Sequence, residues 1–329
     1  MRPTFVLSLD KELIWGSFDH ISEADFARRN PDPRGIVREL LALFDRYEIP
    51  ATWAVVGHLF LSSCARGSDG RAHPEIARPH HAWHARDWFA DDPCTDRTRS
   101  PLWYGDDVVD MILGAPARHE IGCHSFSHTV YGDPGCSAEA ADADLAACVN
   151  AARRWGLTLR SFVFPRNQEG HHALLRKHGF SAFRGLDPTW YRGLPGKAQR
   201  LAHFADQAAA VPPPVTTPRE HLPGLWNIPG SLLYLHRGGL RRAIPIAARV
   251  AKARAGISRA IRERSLFHFW FHPFNMQVDR RAMFEGLEAI LAEVANQRAR
   301  GALDVQTMGG LADEMARTRG RPGQAMAGP

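Results

Sequence analysis

The chain has 329 residues, of which 44% are hydrophobic, so it can bury the core of one large α/β domain. Its net charge of +6 suits an anionic substrate or a membrane surface; no nucleic-acid motif accompanies it, and no nucleic-acid partner is expected. The five cysteines contain no CxxC pair, which argues against a disulfide framework. Neither a secretory signal nor a membrane-spanning apolar run is visible, so we expect a cytoplasmic protein.

The first predicted elements form a strand–helix–strand unit. Residues 4–10 and 51–57 are short β-branched and aromatic runs of the kind that form buried strands. Between them Asp32 is a candidate N-cap, Pro33 occupies the first turn, and apolar residues follow at helical spacing. This order favours a parallel sheet.

The alternation of strands and helices continues to the end of the chain. A helix is predicted after the candidate N-cap Ser137, a short one ends near Gly179, and the most regular one covers 279–300. Seven or eight strands alternating with helices predict an α/β barrel. The further predicted strands are 119–124, 161–165, 225–229, 266–273 and 303–308.

We predict a single domain over residues 1–315, interrupted by several segments that do not follow the barrel pattern. Residues 58–118, rich in His, Trp, Asp and Pro, are predicted to be an insertion over one mouth of the barrel. Residues 186–224 are predicted to be a loop, and residues 316–329 a disordered tail.

Polar residues that follow the predicted strands define a candidate site. Reactive groups of α/β barrels lie at the carboxyl ends of the strands, so the residues at these positions should converge on one mouth. Two imidazoles and one carboxylate would leave positions open on a metal ion for water and substrate, as a catalytic metal site requires. The residues selected in this way are Asp10, Glu12, His124, His128, Arg166 and His272.

Five stretches, in order, resemble the motifs of the NodB-homology polysaccharide deacetylases, which are similar to carbohydrate esterase family 4. They are FVLSLDKE, ATWAVVG, HEIGCHSFSH, SFVFPRNQ and FWFHPFN, and they cover about residues 4–310. The resemblance implies a distorted (β/α) barrel of about seven strands, a divalent metal ion, and hydrolysis of an N-acyl or O-acyl group from a sugar. The metal implied is Zn²⁺, with Co²⁺, Mn²⁺, Ni²⁺ and Fe²⁺ as alternatives.

By position in these motifs, Asp10 resembles the catalytic base and His272 the general acid, and His124 and His128 resemble metal ligands. The first motif departs from the family pattern, because Lys11 follows Asp10 where a second aspartate is common. We therefore take Glu12 as the third ligand. The third motif departs as well, and Arg166 is taken as the partner of Asp10.

These features predict a metal-dependent hydrolase that removes an N-acyl group, in the first place acetyl, from a sugar or glycoconjugate during surface-polysaccharide or glycolipid assembly. One alternative is a deformylase or another linear-amide hydrolase of the same fold. The other is a degenerate barrel, which has lost catalysis and binds glycans. Lys11 and the altered third motif favour this alternative.

Segment 237–264 carries nine Lys or Arg residues against one Glu. Its apolar residues fit a basic amphipathic helix broken at Pro245 and Gly256. A solvated helix is one interpretation. The other is a contact with anionic lipid, or with the phosphates of a lipid- or nucleotide-linked sugar, at the inner face of the membrane.

Overall fold

The computed structural model describes residues 1–319, in which strands and helices alternate along most of the chain. The strands are β1 (Thr4–Lys11), β2 (Thr52–Val55), β3 (Glu120–Cys123), β4 (Ser161–Val163), β5 (Ala182–Arg184), β6 (Arg219–Leu222), β7 (Leu225–Asn227), β8 (Leu232–Leu233), β9 (Leu266–Phe271) and β10 (Asp304–Gln306). The α-helices are α1 (Glu23–Arg29), α2 (Pro33–Arg46), α3 (Asp106–Leu113), α4 (Ala138–Arg153), α5 (His172–Lys177), α6 (Gly196–Ala208), α7 (Ile246–Glu263), α8 (Arg280–Ala299) and α9 (Met308–Arg319).

The strands form one curled sheet in the order β6-β7-β5-β4-β3-β2-β1-β9-β8, with β10 also paired to β1. All pairs are parallel except β6 with β7. This is the distorted α/β barrel that the sequence predicts. The described residues contain ten strands rather than about seven, because β5, β6 and β8 are too short to show a period in the sequence.

Strand β1 lies at the centre of the sheet and is buried along its whole length. Residues 4–9 pair with β9 on one side. On the other side, residues 4–6 pair with β10 and residues 8–11 pair with β2. A strand enclosed in this way requires apolar side chains on both faces, which explains the run FVLSL.

The predicted helix starts are confirmed. The Asp32 carboxylate accepts a hydrogen bond from the backbone N–H of Gly35 at 2.8 Å, and the Ser137 hydroxyl accepts one from Ala140 at 3.1 Å. Both side chains satisfy backbone donors that a helix leaves unpaired in its first turn. Among the described residues, no helix combines the length and apolar character needed to cross a bilayer.

Three segments differ from the sequence-based expectations. Residues 186–224 are not a loop throughout, since they contain α6 and β6. Helix α7 continues through Gly256, which lies against Phe267 of β9 with no room for a Cβ atom, so the predicted break is wrong there. Helix α9 includes residues 316–319, which were assigned to the tail; the rest of that tail lies outside the described residues.

Candidate active site

The candidate site lies where β1, β3 and β9 end. Asp10 belongs to β1, and Glu12 is the first residue after this strand. His124 follows β3 and His272 follows β9. Parallel strands place their carboxyl ends at the same edge of a sheet, so these side chains meet there. His128 joins them from the turn after His124.

Three of the predicted residues bring their donor atoms together. Oε1 of Glu12 lies 3.0 Å from Nε2 of His124 and 3.2 Å from Nε2 of His128. All three side chains are buried. The Nδ1 atom of His124 donates a hydrogen bond to the carbonyl of Val163 at 2.8 Å, which leaves its Nε2 lone pair directed at the cluster. Together these atoms form a candidate metal centre.

A buried aspartate on α4 shapes the turn that carries the two imidazoles. One carboxylate oxygen of Asp144 accepts hydrogen bonds from the backbone N–H of Phe126 at 2.9 Å and the hydroxyl of Tyr131 at 2.7 Å. The other accepts from the hydroxyl of Ser125 at 3.1 Å. Ser125 and His128 have φ values of 63° and 61°, a conformation that non-glycine residues rarely adopt. The Asp144 network therefore stabilises a strained turn.

Asp10 is paired with an arginine that sequence reasoning missed. Arg184 donates from Nη1 to Oδ1 of Asp10 at 2.7 Å and from Nη2 to Oδ2 at 2.6 Å. Its guanidinium also lies 4.0 Å from the ring centroid of Trp270. Burial alone would raise the pKa of Asp10, but the charge of Arg184, with those of His272 and His124, lowers it below its ordinary value. The Asp10 carboxylate is thereby held ionised.

The prediction that Arg166 partners Asp10 is wrong. Arg166 pairs with Asp19 instead, and its guanidinium lies 4.5 Å from the ring centroid of Trp83. The Pro165–Asn167 turn directs the Arg166 side chain to the rim of the site. There it meets Trp83, a residue of the predicted insertion. The one sequence signal for Arg184 is the stretch SAFRG, a short apolar run that ends in a cation before a glycine.

His272 lies between the two carboxylates at the mouth of the site. Its Nε2 is 3.4 Å from Oε1 of Glu12 and 3.6 Å from Oδ2 of Asp10. Its side chain is 22% exposed, whereas Asp10 and Glu12 are 3% and 4% exposed. Burial lowers the pKa of His272, but the negative charges of Glu12 and Asp10 outweigh it and raise the pKa above its ordinary value. The imidazole is thus the group nearest to the solvent.

His268 lies deeper in the same strand and is structural, as alternation along β9 predicts. It is fully buried, its Nδ1 donates to the carbonyl of Ile228 at 3.2 Å, and its Nε2 lies 2.8 Å from the hydroxyl of Ser8. Burial lowers its pKa to about 3. This histidine is neutral at physiological pH and orders the strands below the site.

Lys11 does not share the face of β1 that Asp10 occupies. Successive side chains of a strand point to opposite faces, and Lys11 lies near Arg34 and Asp107 instead. Burial, with the charge of Arg34, lowers its pKa to about 7. Glu12, rather than Lys11, reaches the two imidazoles.

Trp103 and Tyr104, two aromatic residues of the predicted insertion, are buried in the core. Among the insertion residues, Trp83 and His81 both hydrogen-bond Asp133, at 2.8 and 2.9 Å, and Trp88 donates to the hydroxyl of Ser127 at 3.0 Å. The insertion therefore packs on the turn that carries His128.

The curled, largely parallel sheet is a fold shared with solved structures classed as polysaccharide deacetylases, as the motifs predict. A crystal structure from Mycobacterium smegmatis, of a protein classed as a polysaccharide deacetylase, superposes with a TM-score of 0.62 at 17% sequence identity, covering 99% of this chain and 94% of the other. A second protein so classed, from Pseudomonas aeruginosa, gives a TM-score of 0.60 at 11% identity, with 98% and 96% covered.

The structure of the PuuE allantoinase is similar to the same extent, with a TM-score of 0.58, 11% identity, and coverage of 98% of this chain and 95% of that one. No protein-family model and no curated protein sequence matches the chain. The likeness to these structures therefore defines the fold alone.

Proposed function

We propose that the protein is a metal-dependent hydrolase that removes an N-acyl group, in the first place acetyl, from an amino sugar or glycoconjugate in surface-polysaccharide or glycolipid assembly. The observation that carries the proposal is the meeting of Glu12, His124 and His128 beside an ionised Asp10. This combination offers a metal centre and a proton acceptor at one mouth of the barrel.

The donor set fits a catalytic divalent metal. Glu12, His124 and His128 would hold the ion through one oxygen and two nitrogens, a set suited to Zn²⁺ and to Co²⁺, Mn²⁺, Ni²⁺ or Fe²⁺. The bond from His124 Nδ1 to Val163 is the type of supporting contact that orients metal-binding imidazoles. When bound, the ion would polarise the acyl carbonyl and lower the pKa of a water molecule.

Asp10 is the proposed base. Its carboxylate is buried, fixed by two hydrogen bonds from Arg184, and therefore ionised and oriented before substrate arrives. It would accept the proton of the attacking water. Arg184 contacts Asp10 and the ring of Trp270 and serves as a positioning residue.

His272 is the proposed acid. Its Nε2 faces both carboxylates and its ring is partly open to solvent, so it can reach the nitrogen of a bound amide. An amine leaves readily only after it is protonated, and an imidazolium can supply that proton near neutral pH. His272 would donate from Nε2 to the departing nitrogen.

Deep burial of the site favours one second candidate, a deformylase or another hydrolase of small linear amides. Apart from His272, the reacting groups are at most 5% exposed at their side chains, so the opening suits a small acyl group. The degenerate glycan-binding alternative loses its main support, since the Lys11 side chain lies near Asp107, on the face of β1 opposite to that of Asp10.

One assay separates these functions. Release of acetate and formate would be measured with lipid-linked, nucleotide-linked and free N-acyl sugars and with small linear amides, with and without chelator. Chelator-sensitive acetate release from a sugar supports the first proposal, and release from linear amides alone supports the second. Binding of glycans without release by metal-loaded protein would contradict both.

As part of the same proposal, the substrate is lipid-linked, and the region around 237–264 contacts it at the cytoplasmic face of the membrane. Leu240, in the Gly239–Ala243 turn of 3-10 helix, is 87% exposed and is followed by two arginines. Arg241 of that turn hydrogen-bonds His236 at 3.1 Å. Two residues before His236, the carbonyl of Tyr234 accepts a hydrogen bond at 3.3 Å from Nδ2 of Asn275, which lies three residues beyond His272, so this turn lies near the mouth. Exposed Leu and Arg side chains together suit an anionic lipid interface.

Two of the nine basic residues of this segment are not available for such a contact. Lys252 is buried and donates to Asp206 at 2.8 Å, and Arg249 is buried and donates to the carbonyl of Leu235. Leu240 is the most exposed large apolar side chain of the described residues, so the lipid contact should depend on its turn. The wild type should co-sediment with anionic vesicles, and Leu240→Glu should remain in the supernatant. Leu113→Glu, at an exposed residue of α3, should bind like the wild type. Equal binding by all three would contradict the contact.

A further inference from the structure

The insertion that covers the mouth contains a second cluster of metal-binding side chains. After the Gly57–Phe60 turn the next helix begins at Asp106, so residues 61–105, all described, contain neither a helix nor a named strand. Such long segments without regular structure are uncommon in compact domains and need other stabilising contacts. Here four donor residues come together: His58 of that turn, and Cys64, His73 and Asp92 of the segment.

The four donor atoms lie close together. Oδ2 of Asp92 is 3.0 Å from Nε2 of His58, 3.0 Å from Nε2 of His73 and 3.7 Å from Sγ of Cys64. All four donors lie within 4.8 Å of one another. Tetrahedral zinc with bonds of about 2.0–2.3 Å separates its ligand atoms by roughly 3.3–3.8 Å. Changes of at most about 1 Å in these distances would therefore suffice to enclose an ion.

His58 independently indicates that this cluster can hold a cation. Its Nδ1 donates to the carbonyl of Trp103 at 3.1 Å, so in the neutral ring Nε2 carries a lone pair. That Nε2 is completely buried, faces the Asp92 carboxylate, and has no hydrogen-bond partner of acceptable geometry. Two electron-rich atoms thus face each other in a buried space, an arrangement that a positive charge between them would stabilise.

Local contacts of the chain hold the four residues in place. Bridges of the antiparallel type join Ser63 to Asp96 and Arg66 to Ala72, next to Cys64 and His73 respectively. The backbone N–H of Cys94 donates to Oδ1 of Asp92 at 2.9 Å, which fixes the carboxylate and leaves Oδ2 for the cluster. The positions of the donors are therefore set by the surrounding backbone.

We propose that His58, Cys64, His73 and Asp92 bind a structural zinc ion. Four protein ligands would close the coordination sphere, unlike the barrel site, where three leave room for water and substrate. On binding, the Cys64 thiol loses its proton to solvent and becomes a thiolate ligand. The ion would cross-link residues 58 to 92 and so rigidify the insertion, whose residues Trp83 and Trp88 contact the rim of the candidate active site.

Cobalt substitution tests this proposal without reference to activity. The barrel site contains no sulfur ligand, so only the insertion site can produce thiolate-to-cobalt charge transfer. Full-length protein, kept reduced and loaded with Co²⁺, should show this near-ultraviolet band. The band should persist in His124→Ala, which disables the barrel site, and in Cys136→Ala, a control for a buried thiol elsewhere. It should vanish in Cys64→Ala.

Metal counting provides the second measurement. Zinc-loaded wild type should contain about two ions per chain, and His124→Ala and Cys64→Ala about one each. A folded wild type without the charge-transfer band would overturn the insertion site, as would a band or a second ion that persists in Cys64→Ala. If Cys64→Ala does not fold, the wild-type and His124→Ala spectra decide. Failure of the barrel site alone would instead leave the band intact with one ion per chain.

Discussion

Asp10 and Arg184 are 174 residues apart in sequence, yet they form a buried ion pair with two parallel hydrogen bonds, of 2.7 and 2.6 Å. The guanidinium also lies over the ring of Trp270, 4.0 Å from its centroid. Such a planar pair fixes the direction of the carboxylate as well as its charge. The candidate base is therefore pre-oriented by β5, at the opposite flank of the sheet from β9.

Arg184→Gln should impair both stability and activity. Removing one partner leaves the buried Asp10 charge uncompensated, which typically costs about 3–5 kcal/mol of unfolding free energy. The pKa of Asp10 should then rise, and hydrolysis should fall at least roughly 100-fold. Urea unfolding and acyl-release rates would measure the two effects.

The matched control for this substitution is Arg160→Gln, which removes a half-exposed pair with Asp313. Surface pairs contribute about 0–1 kcal/mol, so this variant should resemble the wild type in both measurements. Equal behaviour of the two variants would show that the Asp10 pair has no special role.

Asp10→Asn and Glu12→Gln should separate catalysis from metal binding. Asp10→Asn keeps the shape of the side chain but removes the proton acceptor, so turnover should fall by about 10²–10⁴ while the barrel ion is retained. Glu12→Gln removes a charged ligand and should weaken metal binding. Metal content after dialysis, measured beside activity, checks both; an unchanged metal affinity in Glu12→Gln would contradict its role as the third ligand.

Asp144→Asn should loosen the barrel metal although Asp144 does not touch the predicted ligands. An amide nitrogen in place of one oxygen would face donors such as the N–H of Phe126 and the hydroxyl of Tyr131. The strained turn at Ser125 and His128 would lose support, and metal affinity should fall about 10–100-fold. Isothermal titration with Zn²⁺ measures this. The control is Asp142→Asn, on the same helix as Asp144, which removes a surface ion pair with Lys177 of α5. Its affinity for Zn²⁺ should equal that of the wild type.

His119 should make the protein less stable in mild acid. It packs against Phe44 and Trp53 and accepts a hydrogen bond from the backbone N–H of Ala51, and burial lowers its pKa from 6.5 to about 4. Between these values the unfolded chain binds more protons, so stability falls as the pH falls through this window, by at most about 3 kcal/mol.

The comparison that isolates this effect is His119→Gln, which cannot titrate. Unfolding free energies of both proteins would be measured at several pH values from 7.5 to 4. The stability of the wild type should fall more steeply than that of the variant below about pH 6.5. Parallel curves would mean that His119 does not contribute.

Gly256→Ala should destabilise the fold, because α7 approaches β9 closely at this residue. An added Cβ would collide with the ring of Phe267 and with Pro213, and overpacking of this kind costs about 1–3 kcal/mol. Gly196→Ala, at the open start of α6, meets nothing within 4 Å and should be neutral or slightly stabilising. Thermal unfolding of both variants distinguishes them.

The sequence predicts the parts of the fold that have long periodic patterns. The α8 prediction, 279–300, agrees with Arg280–Ala299 because its apolar residues recur at helical spacing from Met283 to Val294, over about three turns. By contrast, β5 and β8 contain three and two residues, too few for a period, and α6 lies in a segment dominated by Pro and Gly signals. Missing β5 also meant missing Arg184.

The candidate metal ligands were accessible to sequence reasoning because they follow the ends of predicted strands. The insertion cluster was not, since His58, Cys64, His73 and Asp92 show none of the short spacings typical of metal sites. The assignment of Arg166 failed for a related reason. A left-handed φ of 53° turns its backbone, and the strand-end rule does not anticipate where such a residue directs its side chain.

The pairing of β10 with residues 4–6 has a consequence for biosynthesis. Strand β1 stays incomplete until residues 304–306 and 266–271 have been made. Until then its unpaired backbone groups and apolar side chains remain accessible, which makes the nascent chain dependent on protection from aggregation. Truncations before β10 should therefore accumulate as insoluble material rather than as a smaller stable domain.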